Sequence, residues 1–283
     1  MTFTKMEGCG NDYVYINGAA VPVDKEIKPD LVRKLSDRHF GIGSDGVIFI
    51  NPSEKADFEM EMWNADGTRA EMCGNGIRCV AKYVYDKSLT QKTELKIESF
   101  GKVKDITIIP EDGKAKLIRV NMGSPILESS QIPVVSGSEK VIDELICTDA
   151  GDFNMTCVSM GNPHAVIFED PDVIDIEKAG SAVENHPRFP KRTNTEFVKI
   201  IDRANVRMRV WERGTGETLA CGTGCCATAV ACVLNGLTDD KVTVHVLGGR
   251  IEVFWDRDND TVYMTGPAKT VFEGEIDYDQ DQQ

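Results

Sequence analysis

Apolar and polar residues alternate in short runs along most of the chain, which is the pattern of strands that bury one face. Apolar residues at helical spacing are less frequent and are clearest in 32–40, 75–87, 173–185 and 223–235. Many strands broken by a few helices indicate an α+β protein rather than a regular βαβ alternation. The predicted strands are DGVIFI, FEMEMWN, ELKIES, DITIIP, AKLIRVNM, HAVIFED, TEFVKIID, VRMRVWE, KVTVHVL, RIEVFW and TVYMTG.

The sequence repeats itself at two nearly equal shifts. A shift of 148 residues lays MWNADGTRAEMCGNGIRCVAKY over VWERGTGETLACGTGCCATAVA without a gap, and it places Cys73 on Cys221. A shift of 151 residues lays GNDYVYI, from Gly10, over GNPHAVI, from Gly161. Both strand and helix patterns agree in the overlaid segments, so we infer an internal duplication with one strand–turn–helix unit in each half.

Composition and charge narrow the class of protein. At 283 residues the chain exceeds the usual size of one domain, and its 41% hydrophobic content supports a sizeable core. A net charge of −14 argues against nucleic acid or an anionic membrane as a partner. The N-terminal residues lack the plan of a signal peptide, and the nine cysteines cannot all pair within the chain. We therefore expect a cytoplasmic protein with reduced thiols.

The repeated Cys-Gly-x-Gly segment carries the candidate chemistry. Glycines after a cysteine leave backbone N–H groups at a helix start, which is a site for a carboxylate or phosphate. The positive end of the helix also favours the thiolate of the adjacent cysteine. A single Cys-Gly-x-Gly segment at a helix start, which we call a cysteine corner, is more often a structural turn. Two corners facing one cleft would place Cys73 and Cys221 on opposite faces of one carbon, as a two-base racemase requires. This chemistry calls for no cofactor and no metal.

Seven segments together resemble the diaminopimelate epimerase family: KMEGCGNDYVYIN, FGIGSDG, NADGTRAEMCGNGIRC, MGNPHAV, RTNTEFV, VWERGTGETLACGTG and GPAKTVFEGEI. They run in order from residue 5 to residue 276. The resemblance implies a cofactor-independent isomerase that interconverts LL- and meso-diaminopimelate in the biosynthesis of lysine and peptidoglycan precursors. It also implies two similar domains, each a β-barrel-like sheet around a central helix, with the active site in the cleft between them. We place the domains at 1–118, joined by 269–283, and at 119–268.

The resemblance also assigns roles to individual residues. Cys73 and Cys221 match the acid/base pair, and His164 and Glu212 match groups that tune the two thiols. The predicted substrate-binding residues are Asn11, Asn64, Gly74, Asn75, Asn162, Asn194, Glu212, Arg213, Gly222 and Thr223. Arg213 suits the far carboxylate of the substrate, because a guanidinium can bind a carboxylate through two hydrogen bonds. Phe272 lies in a segment that the family uses for dimer contact, which implies a homodimer.

One position departs from the family pattern. Many members have Gly-x-Asp-Gln where this chain has Gly43-Ser44-Asp45-Gly46, so a glutamine contact is missing and residue 46 is left out of the site. Cys79, Cys225 and Cys226 are interpreted as core cysteines because a second pair of metal ligands is absent. His164 by itself would more often be a structural histidine.

Three other functions compete with the epimerase. Another two-cysteine isomerase of similar fold, such as a proline racemase-like enzyme, would need fewer polar groups than the asparagines and Arg213 supply. A thiol redox protein would use Cys73 and Cys221 as a switch, and we expect a disulfide between them to inactivate an epimerase. A non-catalytic amino-acid binder would leave the duplicated thiols unexplained.

Overall fold

The computed structural model describes residues 1–70 and 73–277; Glu71 and Met72, which precede the first cysteine corner, lie outside the described residues. The chain forms two compact units. The first unit comprises Met1–Val120 and the C-terminal segment from Gly266, and the second comprises Asn121–Thr265. The boundaries predicted at 118 and 268 stay predictions beside this division.

The described residues form four helices: α1 (Lys28–Ser36), α2 (Gly74–Asp86), α3 (Ile176–Glu184) and α4 (Gly222–Leu234). Their strands are β1 (Thr2–Gly8), β2 (Asn11–Asn17), β3 (Gly46–Asn51), β4 (Phe58–Asn64), β5 (Glu94–Ser99), β6 (Lys102–Glu111), β7 (Lys114–Gly123), β8 (Glu144–Thr148), β9 (Gly151–Ser159), β10 (Pro163–Ile167), β11 (Asn194–Asp202), β12 (Asn205–Glu212), β13 (Gly216–Thr218), β14 (Lys241–Val246), β15 (Gly249–Asp256), β16 (Thr261–Gly266) and β17 (Lys269–Glu275). All the predicted strands and helices are present, and the α+β class is confirmed. Strands β1, β2, β8, β9, β13 and β17 were not predicted.

The two units repeat one strand order. In the first unit the order is β17-β1-β2-β3-β4-β5-β6-β7, with β2–β3 and β4–β5 parallel and the other pairs antiparallel. In the second unit the order is β8-β9-β10-β11-β12-β14-β15-β16, with β10–β11 and β12–β14 parallel. The direction of every pair agrees position by position, so the duplication predicted from the sequence is confirmed.

Each sheet is open, which corrects the expectation of a barrel-like sheet. Within residues 1–70 and 73–277, β17 does not pair with β7, and β8 does not pair with β16. Strand β17 comes from the end of the chain, yet it occupies in the first sheet the place that β8 occupies in the second.

A helix lies against the strands of each unit, as predicted. Helix α2 packs against β1, β2, β5 and β6, and α4 packs against β9, β10, β11, β12, β14 and β15. Gly222 and residues 224–232 of α4 are buried, and they are glycine, alanine, cysteine, threonine or valine. A helix that is apolar on all sides is one surrounded by protein. The small residues of α4 let several strands approach it closely.

Helix α1 differs from its predicted bounds at both ends. The helix was expected to continue to Phe40, but it ends at Ser36. The Asp37 carboxylate accepts the backbone N–H groups of His39 (2.7 Å) and Phe40 (2.8 Å). Aspartate often offers the backbone such an alternative to the helical hydrogen bond, and the helix stops there. The helix starts earlier than predicted because Pro29 suits its first turn.

Candidate active site

Cys73 occupies the N-cap of α2 in the first unit. Its backbone is extended, and its sulfur accepts the N–H of Gly76 at 3.3 Å. The thiol donates to Asn11 Oδ1 at 3.1 Å, so two residues predicted for the site are in contact. Gly74 and Asn75 are the first residues of the helix, whose opening N–H groups have no partner within the helix itself. The corner therefore places a thiol beside a positive helix end.

The orientation of the Asn11 amide is fixed by a residue that the sequence analysis missed. Asn11 Nδ2 donates to Asp45 Oδ2 at 2.7 Å, and the same oxygen accepts the backbone N–H of Asp12 at 3.2 Å. Asp45 is in turn 2.9 Å from Arg38 Nη2. These bonds turn the amide oxygen of Asn11 towards the Cys73 thiol. Asp45 lay within the quoted FGIGSDG segment, and its position next to Gly46 was the available signal.

Two other predicted positions of the first unit, Asn64 and Asn75, have defined surroundings, and so does Gly46, which was left out of the site. Asn64 ends β4 and donates to Thr68 Oγ1 at 3.1 Å. Asn75 is buried, and its side-chain oxygen accepts Arg78 Nη2 at 2.9 Å. A Cβ on Gly46 would lie 2.0 Å from the carbonyl oxygen of Trp63, so this backbone leaves no room for the glutamine that is missing from the motif.

Cys221 occupies the equivalent N-cap of α4 in the second unit. Its sulfur accepts the N–H of Gly224 at 3.4 Å and lies 3.5 Å from Thr223 Oγ1. Burial raises the pKa of the Cys221 thiol well above its usual value, and the carboxylates of Glu212 and Glu196 raise it further. The hydrogen bonds from Thr223 and Gly224 act in the opposite direction without offsetting them. In this environment the thiol is the favoured form.

His164 lies on β10, completely buried, between two side-chain oxygens. Its Nδ1 is 2.7 Å from Glu196 Oε1, and its Nε2 is 3.1 Å from Asn162 Oδ1. Asn162 and His164 are thus in contact, as two residues of one predicted site should be. Glu196 was missed from the sequence, although a single carboxylate inside the apolar run TEFV of β11 was a usable signal.

Glu212 and Arg213 begin the turn after β12. Glu212 Oε1 accepts the Thr218 hydroxyl at 2.5 Å, and burial raises the pKa of the Glu212 carboxyl. The backbone N–H of Arg213 donates to Asn194 Oδ1 at 2.9 Å, while its exposed guanidinium donates to the Lys191 carbonyl at 3.1 Å. Asn194 therefore holds the turn that presents Arg213.

A second buried side chain supports the same turn. Glu184, at the end of α3, accepts the N–H of Gly214 at 2.8 Å and the indole N–H of Trp211 at 2.7 Å. Asn194 is fixed at its other end, since its Nδ2 donates to the Pro163 carbonyl at 2.8 Å. The turn that carries Glu212 and Arg213 is therefore anchored to both α3 and β10.

Phe272, the predicted dimer contact, lies on β17 and is 46% exposed. Its ring packs edge-on against Phe3, with centroids 5.9 Å apart and an interplanar angle of 83°. Within residues 1–70 and 73–277, no helix is long and apolar enough to cross a membrane, and no group of three or more His, Cys, Asp or Glu side chains could hold a metal ion.

Comparison with known proteins places these features in a family. The family model described as diaminopimelate epimerase matches residues 3–128 and 156–271. A protein of Acetivibrio thermocellus named diaminopimelate epimerase is 53% identical over 281 residues, which cover 99% of this chain and 100% of that protein. One of Methanococcus maripaludis with the same name is 52% identical over 279 residues, covering 98% and 100%.

Solved structures of lower identity share the fold. A probable proline racemase from Agrobacterium radiobacter superposes with a TM-score of 0.72 at 15% identity, over 99% of this chain and 94% of that one. A phenazine biosynthesis protein of the PhzF family from Bacillus anthracis gives a TM-score of 0.71 at 16% identity, covering 98% and 99%. These similarities concern the arrangement of helices and strands.

Proposed function

Since this chain belongs to the diaminopimelate epimerase family of isomerases, we propose that it interconverts LL- and meso-2,6-diaminopimelate by a two-cysteine mechanism without a cofactor. The reaction would serve the biosynthesis of lysine and peptidoglycan precursors in the cytoplasm. The observation that carries the proposal is the repeated thiol at the start of a buried helix, Cys73 on α2 and Cys221 on α4. Membership of the family supplies the substrate.

The mechanism follows from two thiols in opposite protonation states. One sulfur, as thiolate, removes the α-proton of the amino acid, and the other, as thiol, delivers its proton to the opposite face of the same carbon. After the reaction the first sulfur is protonated and the second is ionised, so the reverse reaction uses the same two groups in exchanged roles. An α-proton is a weak acid. Hydrogen bonds to the adjacent carboxylate are therefore needed to stabilise the negative charge that develops.

The backbone at both helix starts suits that carboxylate. We propose that the carboxylate next to the reacting carbon accepts hydrogen bonds from the first N–H groups of α2 and α4, because helix N-termini attract anions. These groups belong to Gly74, Asn75, Gly222 and Thr223. The polar side chains that would read the rest of the substrate are Asn11, Asn64, Asn162, Asn194 and Glu212. Arg213 would bind the distant carboxylate, which is supported by its exposed guanidinium on an anchored turn. His164 and Glu212 would tune the thiols.

The proposed function is tested by incubating the reduced protein with LL-diaminopimelate in deuterated water. We expect deuterium at one α-carbon together with formation of the meso isomer, followed by NMR and chiral chromatography. A parallel incubation with L-proline should show no exchange. Exchange into proline would favour a proline racemase-like enzyme, and the absence of exchange into both substrates would overturn the proposal.

Arg213→Ala is expected to raise the KM for diaminopimelate by about tenfold to a hundredfold, as the loss of a charged hydrogen bond would. The kcat should change less, because the guanidinium is assigned to a carboxylate remote from the reacting carbon. Steady-state kinetics with LL-diaminopimelate measures both constants. Arg207→Ala is the matched control, since Arg207 pairs with Asp172 at the surface. An unchanged KM in the Arg213 variant would contradict the assignment.

The protein is expected to form a homodimer through the face of β17 that carries Phe272. An exposed aromatic side chain on a strand of exposed residues is suited to burial against a second copy. Sedimentation velocity at micromolar concentration should give a dimer, and Phe272→Asp should give a monomer. Val135→Asp, which changes an exposed apolar residue of the second unit, serves as the control. A monomeric unsubstituted protein would refute the expectation.

A further inference from the structure

The two cysteine corners are built alike, yet they differ in one buried side chain. Strand pairing makes Thr195 of β11 equivalent to Val47 of β3, since the first lies opposite Trp211 and the second opposite Trp63. The next residues, Glu196 and Ile48, therefore occupy equivalent positions. A carboxylate stands in the second unit where a hydrocarbon stands in the first.

Both side chains face the first turn of the helix behind them. A Cβ on Gly76 of α2 would lie 2.9 Å from Ile48 Cδ1 and 3.7 Å from Cys73 Sγ. A Cβ on Gly224 of α4 would lie 2.7 Å from Glu196 Oε1 and 3.3 Å from Cys221 Sγ. The latter two distances together place the carboxylate oxygen within ~6 Å of the Cys221 sulfur. This is close enough for a negative charge to disfavour ionisation of the thiol.

The position of Glu196 is fixed by His164. Glu196 is 0% exposed, and its Oε1 is the atom that faces His164 Nδ1 at 2.7 Å. Its other oxygen, Oε2, is buried and has no hydrogen-bond partner within residues 1–70 and 73–277. A buried carboxylate oxygen without a partner is unusual in a packed core, so a role beyond packing is expected at this position.

Few other ionisable groups face this part of α4. The strands packed against the helix contribute His164 on β10, Glu196 on β11 and Glu212 on β12. Cys157 on β9 packs in the core cluster that contains α3 residues instead, and burial raises the pKa of its thiol well above the usual value. The fully buried residues that β14 and β15 contribute are Val242, Val244, Ile251 and Val253. In the described part of the chain, Glu212 and Glu196 are the carboxylates whose charges act on the Cys221 thiol.

We propose that Glu196 is a positioning residue that keeps Cys221 in its thiol form in the unliganded protein, because His164 fixes its carboxylate beneath the start of α4. Cys73, which has Ile48 in the equivalent position, experiences no such charge from β3. The two corners therefore begin the reaction unequal: Cys221 is the proton donor and Cys73 the proton acceptor. The raised pKa of Cys221 agrees with this arrangement.

The proposal is tested by measuring how fast iodoacetamide labels each cysteine between about pH 6 and about pH 10, without substrate. Peptide mass spectrometry separates the Cys73 and Cys221 peptides. In Glu196→Gln the labelling midpoint of Cys221 should fall by about one pH unit or more, because the like charge is removed while the shape is kept. The midpoint of Cys73 should not move, and Glu196→Asp, which retains the charge, should keep the Cys221 midpoint high.

Glu144→Gln is the matched control, since Glu144 is a partly buried carboxylate of the same unit that bonds Ser136 and Arg188 instead. It should leave the Cys221 midpoint unchanged. An unchanged midpoint in Glu196→Gln, or an equal shift for Cys73, would overturn the role of Glu196. If that variant does not fold, the unsubstituted protein still decides: labelling of Cys221 at lower pH than Cys73 would refute the proposal.

The inference rests on the proposed function, because the assignment of Cys221 as proton donor and Cys73 as proton acceptor applies only if the protein is an epimerase. Its test, however, does not require turnover. Failure of the labelling result would overturn the role of Glu196, whereas absence of deuterium exchange would overturn the proposed function. The two failures are therefore distinguishable.

Discussion

Cys73→Ala and Cys221→Ala are each expected to lower the rate of LL-diaminopimelate epimerisation by about a thousandfold or more, while the fold is retained. Each variant removes one of the two groups that we propose transfer a proton, and general acid–base catalysis contributes about 10²- to 10⁴-fold per group. The remaining cysteine should not take over the role of the one removed, since each thiol is held at its own helix start by the N–H of Gly76 or Gly224. Formation of the meso isomer, measured by chiral chromatography, checks the loss.

Each helix offers a matched control for these substitutions. Cys79 lies on α2 and Cys232 on α4, and burial raises the pKa of each thiol to about 12. Both therefore stay protonated at neutral pH, and Cys79→Ala and Cys232→Ala should retain most of the activity. Activity within a factor of about ten of the unsubstituted protein in either Cys73→Ala or Cys221→Ala would contradict the two-base assignment.

Lys28→Met is expected to lower the free energy of unfolding by about 3 to 5 kcal/mol, the largest effect on stability that we predict. Lys28 Nζ lies 2.7 Å from Glu61 Oε2, and both side chains are 7% exposed. The variant leaves the Glu61 carboxylate buried with the hydrogen bonds of Asn51 (2.7 Å) and Trp63 (3.1 Å) but without a counter-charge. Urea denaturation of the two proteins, compared by their midpoints and slopes, measures the difference.

The double variant Lys28→Met/Glu61→Gln is the control for this prediction. It removes both charges and keeps one amide oxygen that can accept the N–H of Asn51 or Trp63, so it should recover part of the lost stability. A loss smaller than about 1 kcal/mol in Lys28→Met would show that the pair behaves as an exposed ion pair does.

The same pair predicts a dependence of stability on pH. Burial acts to raise the pKa of the Glu61 carboxyl, but the hydrogen bond and charge of Lys28 together with the hydrogen bonds from Asn51 and Trp63 outweigh it and hold the pKa below its usual value. A carboxyl group with a lowered pKa in the folded state stabilises the fold above its unfolded pKa, and this contribution is lost as the pH falls through the folded pKa. Acidification below about pH 4.5 should therefore destabilise the natural protein more than the Lys28→Met variant.

The sequence indicated much of the local structure because its signals lie within short segments. Alternation marked strands such as β5 and β15, and the two Cys-Gly-x-Gly corners located the starts of α2 and α4. Strand β17 escaped prediction: it joins β1 from the other end of the chain, and its exposed residues carry little alternation. Pairing between distant segments leaves no local period for the sequence to show.

The candidate site divides in the same way. Cys73 and Cys221 were predicted from the sequence alone, since both the thiol and the glycines that shape its helix start lie within four consecutive residues. Asp45 and Glu196 were not, because each acts on a residue more than thirty positions away, Asn11 and His164. The roles of such side chains depend on which strands lie side by side.

The sequence by itself thus determined that the protein carries two copies of one thiol corner, because a repeated motif is visible wherever it lies in a chain. Only the tertiary structure decided that the copies are unequal. Strands β3 and β11 place Ile48 behind one thiol and Glu196 behind the other. A buried charge within ~6 Å of a thiol changes its ionisation, whereas a methyl group at the same place does not.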